Sequence, residues 1–127
     1  MAELECIFPK EEIPNEHSLF QRVHRNLFRN EKLAISLVFK NHGDGMSTDW
    51  SKYPTPMDTK ERVRIDQKDP DLYGVIKMNV GEVRAIEGQI VEHTPLNENR
   101  SHTDVKGDKT PKQTVYFNRI FQWSIKP

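Results

Sequence analysis

The most apolar run in the chain, Lys32-Leu-Ala-Ile-Ser-Leu-Val-Phe39, covers eight residues, with charge before it and Asn41-His42-Gly43-Asp44-Gly45 after it. A chain whose most apolar stretch is this short must build its core from short elements, since a membrane span takes about 20 apolar residues and a long amphipathic helix a sustained period of 3.6. The length and the flanking turn signals fit a buried strand over Lys32–Phe39.

The rest of the sequence is punctuated in the same way. Pro9 to Glu16 is charged and carries two prolines, which resist helix and strand alike, so residues 1–17 are expected to form an exposed lead-in. Leu19 to His24 alternates enough for a strand. Thr55 before Pro56 reads as a helix N-cap with proline at the first helical position, and Asp58 adds negative charge to the first turn, so a short helix is expected from about Pro56 to Arg64. Tyr73–Val80, Glu82–Ile86 and Gln89–His93 alternate polar and apolar residues around Gly81 and Gly88, which suggests an antiparallel meander, and Ser101–Lys106 is a further strand ending at Gly107-Asp108. Near the C-terminus, Thr110-Pro111 again resembles a helix start, while Val115, Phe117, Phe121, Trp123 and Ile125 occupy alternate positions with Arg119. A helix giving way to a final strand satisfies both signals. Because no regular βαβ alternation and no internal repeat is present, the expected fold is α+β: a mainly antiparallel sheet of five or six short strands with two short helices, as one domain over residues 1–127.

Charge and composition narrow the function. Lys plus Arg equals Asp plus Glu at 19 each, so no global positive field attracts a polyanion, and nucleic acid is a partner that the net charge does not favour. Charged residues make up 30% against 35% apolar, a thin core that an interface can supplement. Cys6 is the single cysteine, which rules out an intramolecular disulfide and a Cys-based metal framework. With acidic residues at the N-terminus and no apolar stretch of spanning length, the expectation is a soluble, cytoplasmic protein without a membrane partner.

The Walker phosphate loop, the dinucleotide glycine fingerprint, His-Glu-x-x-His and the nucleophile elbow are all missing, and no cofactor is expected. Gly43-Asp44-Gly45 is too short and too acidic to cradle phosphate and reads as a turn. The segment Val91 to Gly107 carries His93 and His102, each followed by threonine, around an Asn-rich turn. Histidine exchanges protons near neutrality, so a convergent His93/His102 pair can serve as base and acid on a phosphodiester, with Arg84 or Arg100 stabilising the developing charge. Ordinary surface or hydrogen-bonding histidines are the commoner outcome for such a pair. A metal site built from His93 and His102 with Asp49 or Asp104 has no supporting spacing, and no metal is expected. Ser47-Thr48-Asp49-Trp50 follows a glycine turn and can line a pocket, or Asp49 can simply close the turn. Arg22-Val23-His24-Arg25 with Arg29, Phe20 and Phe28 has the ingredients of a patch for single-stranded nucleic acid, against the commoner reading of a solvated, charged strand.

His102-Thr103-Asp104-Val105 resembles one half of the paired His-x-Thr motif of the two-histidine phosphoesterases, and His93-Thr94-Pro95 is far too near to be the other half. The pieces Ile35-Ser-Leu-Val-Phe39, Gly45-Met-Ser-Thr-Asp49, Gly74-Val with Val80-Gly-Glu-Val-Arg84, Val91-Glu-His-Thr-Pro95 and Asn99-Arg-Ser-His-Thr-Asp-Val-Lys-Gly107 resemble a group of small, largely uncharacterised bacterial proteins with Gly-x-Ser-x-Asp and Asn-x-x-His-x-x-Val-x-Gly segments. The resemblance runs from about Arg22 to Trp123. It implies a single domain and no named activity, and it directs attention to Ser47, Asp49, Arg84, His93, Asn99 and His102.

Two functions follow as expectations. The leading one is a binding or accessory module for a protein partner or a small anionic ligand, with Ser47, Asp49, Arg84, Asn99 and His102 as ligand-binding residues. The alternative is a metal-independent enzyme acting on nucleotides or RNA, with His93 and His102 as acid and base and Arg84 as anion stabiliser. A pocket that gathers these three would favour the enzyme.

Overall fold

The structure, a computed structural model, describes residues 5–127; the first four residues of the expected lead-in lie outside the described residues. Six strands form one antiparallel sheet in the order β6-β7-β4-β1-β5-β8: β1 Ser18–His24, β4 Met46–Trp50, β5 Tyr73–Asn79, β6 Ile90–His93, β7 His102–Lys106 and β8 Gln122–Ile125. A separate hairpin pairs β2 Phe28–Arg29 with β3 Lys32–Leu33. Four helices complete the α+β fold: α1 Ile35–Val38, α2 Pro56–Glu61, α3 Val80–Arg84 and α4 Pro111–Ile120. No helix among the described residues is long and apolar enough to cross a membrane.

Alternation along the strands separates two faces of the sheet. Leu19 and Val23 of β1, Met46 and Trp50 of β4, Ile76 and Met78 of β5, Val91 of β6 and Val105 of β7 share one face and form the main core with Val38, Val80, Val83 and Phe117 from α1, α3 and α4. Phe39, directly after α1, stacks on Phe117 at 5.2 Å. On the other face, α2 and the 3-10 turn Arg62–Asp66 that continues it bury Phe20, Val63 and Val75, while the part of the sheet nearer β7 stays open. The expected cap of α2 is present as a full capping box: Asp58 N donates to Thr55 Oγ1 at 3.1 Å, and Thr55 N donates to Asp58 Oδ2 at 2.9 Å.

Three expectations need correction. Lys32–Phe39 is not one strand. Asn30 and Glu31 both adopt positive φ (53° and 59°), the backbone of a two-residue hairpin turn. That turn folds Lys32-Leu33 back onto Phe28-Arg29, and the chain then bends into the single turn of α1. Glu82–Ile86 is not a strand either. Asn79 Oδ1 accepts from Glu82 N at 2.9 Å and starts α3, whose Val80 and Val83 both reach the core. Finally, the lead-in is not wholly exposed: Ile13 is 4% exposed and belongs to the core.

The turn at Gly107 shows why glycine is required there. Its φ is +118°, and a Cβ would come 2.2 Å from the carbonyl oxygen of Gly88. Lys109 braces the same turn by donating to Asn41 Oδ1, Val105 O and Gly107 O, and burial pushes its ammonium down to about 8.

Candidate ligand-binding groove

β1 and β4 pair at Leu19↔Trp50 and Phe20↔Asp49 and then part, because β4 continues with β7 while Gln21–His24 continue with β5. The sheet therefore forks. On its open face, the fork holds a hollow of about 330 Å³ whose lining includes Arg22, His42, Ser47, Asp49, Thr59, Lys68, Tyr73 and His102. A second hollow of about 400 Å³ shares Gln21, Arg22, His42 and Tyr73 with the first and adds His24, Leu27, Leu37, Val38 and Lys40. Together they make one two-lobed groove with Arg22 and Tyr73 at its waist.

Register explains which residues meet. Asp49 lies opposite Phe20 on one side and His102 on the other, and Ser47 lies opposite Asp104, so Ser47, Asp49 and His102 all stand on the open face. The two segments Gly45–Asp49 and Asn99–Gly107 thus supply neighbouring strands. His102 Nδ1 is 3.0 Å from Thr94 O, which can only accept. The Thr94 hydroxyl is equally near Nδ1 at 3.0 Å, and Nε2 faces Ser47 Oγ at 3.4 Å.

Asp49 has a different task. It is 3% exposed and accepts from Asn99 Nδ2 and Thr59 Oγ1, each at 2.8 Å, with Arg62 Nε 3.5 Å away. Asn99 Oδ1 in turn accepts from Ser101 N at 3.1 Å and Ser101 Oγ at 2.5 Å. The carboxylate is consumed in tying α2 and the 94–101 turn to the sheet. Across both lobes it faces three Lys/Arg side chains (Arg22, Lys40, Lys68) and three histidines (His24, His42, His102), and it is the sole carboxylate in either lining. A chain of zero net charge has gathered cations in one concave place.

The other candidates lie elsewhere. His93 is opposite Thr103, one residue along from His102, and therefore stands on the core face. It is 2% exposed, its Nδ1 accepts from Glu11 N at 2.9 Å, and its Nε2 donates to Arg100 O at 2.7 Å. Arg84 donates to Ile13 O and Asn15 Oδ1, both at 2.7 Å, and anchors the N-terminal segment to α3. His93, His102 and Arg84 consequently do not converge, and the expected acid–base constellation does not form. Arg84 drops out of the ligand-binding set for the same reason, and Asn99 serves as a bracket for Asp49. Arg100 is stacked over Phe8 and Tyr53 at 5.1 and 4.6 Å, away from the groove. Among the described residues no three His, Cys, Asp or Glu side chains gather where a metal ion can be held.

Of the basic run Arg22–Arg25, the structure sends Arg22 and His24 into the groove with Phe20 in its floor, while Phe28 packs on Trp123 at 4.9 Å. Lys40, His42 and Lys68 have no motif of their own in the sequence. Their only signal is that each is a basic residue beside a turn, and topology brings those turns to the same fork.

Compared with protein-family models, with curated proteins and with solved structures, the chain has no significant match.

Proposed function

We propose that the chain is a binding module for a small anionic ligand, which it holds in the forked groove. The observation that carries this reading is the excess of Arg22, Lys40, Lys68 and three histidines over the single, fully engaged Asp49 in the linings. In such a concave site the cations act together under partial exclusion of water, which strengthens each of them. Arg22 is the central contact: its guanidinium is steadied by donation to Thr59 O at 3.1 Å and retains further N–H groups for a planar or tetrahedral oxyanion. Lys68 adds charge from the rim, and Ser47 and His102 add hydroxyl and ring contacts. A protein partner has less support, since exposed apolar side chains such as Met57, Ile90 and Tyr116 belong to separate elements.

Inorganic phosphate in a thermal-shift titration tests this. A ligand confined to the folded state adds about 2.7 kcal/mol at a hundredfold excess over its Kd. The expected result is a rise in melting temperature that Arg22→Ala abolishes and Lys68→Ala, on an exposed loop, reduces. An equal rise in all three proteins places the ion elsewhere and sinks the proposal, as does no rise with phosphate, sulfate or a carboxylate.

A further inference from the structure

The two lobes of the groove differ in chemistry, and the difference specifies a ligand with two unlike ends. The lobe toward β7 is polar and cationic, with Lys68, Ser47, Thr59 and His102 around Arg22. The lobe toward α1 is lined by the apolar side chains of Leu27, Leu37 and Val38 and by the polar side chains of His24 and Lys40. An anion alone would leave the apolar side chains in water. A fatty tail in the second lobe would cover them but strand the polar groups, at the cost of their lost hydration.

A flat heterocycle suits both requirements. Its faces lie on aliphatic side chains and its edge carries donors and acceptors. Gln21 is not one of these edge contacts: it stands on the core face with Leu19 and Val23, and its Nε2 donates to Val38 O at 2.9 Å, which holds α1 to the sheet. Tyr73, at the waist, meets His24 edge-to-face at 5.1 Å, so the second lobe also has an aromatic rim.

We infer that the groove takes a nucleoside phosphate, with the phosphate against Arg22 and Lys68 and the base in the lobe of Leu27, Leu37 and His24. This rests on the anion-binding reading above and names its ligand class. The combined space suits a molecule of that size.

Calorimetric titration of the full chain with inorganic phosphate and with AMP, GMP, CMP and UMP decides the matter. At least one nucleotide is expected to bind about tenfold or more tightly than phosphate. Leu37→Ser, at a side chain 52% exposed, tests the second lobe without adding charge or removing core. It should weaken that nucleotide about tenfold and leave phosphate unchanged, whereas Lys68→Ala should weaken both. Nucleotides binding no better than phosphate, or a Leu37→Ser protein that retains full nucleotide affinity, overturns the inference while the anion site stands. Failure of both phosphate and nucleotides to bind overturns the anion site as well.

Discussion

Asp49 is charged, buried and answered on every side, so its removal should cost more than any other substitution in the groove. Asp49→Ala leaves the Asn99 amide and the Thr59 hydroxyl without their shared acceptor and Arg62 without its ion-pair partner. The expected loss is about 3 kcal/mol, seen as a lower urea midpoint at unchanged slope. Single residues also show how far the sequence could be read. Ser47, Asp49, Asn99 and His102 stand out through their Gly-x-Ser-x-Asp and Asn-x-x-His-x-x-Val-x-Gly segments, and those segments prove to be adjacent, whereas Arg84, singled out with them, lies elsewhere. His93 looked equivalent to His102, but one position of register against Thr103 sends it to the opposite face, and register between distant strands leaves no mark in a local pattern.

Among the elements, α2 has the clearest local code, and its cap is testable. Thr55→Ala removes the side-chain acceptor of Asp58 N and should lower stability by about 1 kcal/mol in chemical denaturation. The same kind of code was present and missed at α3. Asn79 followed by Glu82 is a helix start, and Val80, Val83 and Ile86 recur at helical spacing, yet so short a stretch also satisfies alternation around Gly81. The hairpin of β2 and β3 had no comparable sign, because its turn places Asn30 and Glu31 in the left-handed region without the glycine that usually marks such a turn. Helix followed by strand at 111–125 was legible because Phe117 and Trp123 obey different periods on the two sides of Phe121.

At the scale of the whole molecule, zero net charge concealed a local excess, since acids and bases cancel in a sum that ignores position. The remaining acids are spent in part on ion pairs, and these set the response to pH. Lys52 and Tyr53 hold the Glu11 carboxyl below its ordinary 4.5, and Lys106 with Lys10 does the same for Glu92. In the unfolded chain both carboxyls protonate sooner on acidification, so their contribution is complete above about pH 4.5 and is lost as the pH falls through the lowered values. Lys109 acts at the other end. The fold releases its proton at about 8 and the unfolded chain only near 10.5, so its contribution grows as pH rises across that window. Urea melts across the pH range should show the acid decline, reduced in Glu11→Gln and Glu92→Gln, and Lys109→Met should remove the alkaline gain. The fork carries a mechanical consequence. Halves of three strands each, β6-β7-β4 and β1-β5-β8, are joined by two registered pairs and by Ser51 N donating to Ser18 O. That seam has the fewest registered pairs in the sheet, and a molecule seated between Arg22 and Ser47 would bridge it where the ladder has no rungs, stiffening the protein by becoming part of its frame.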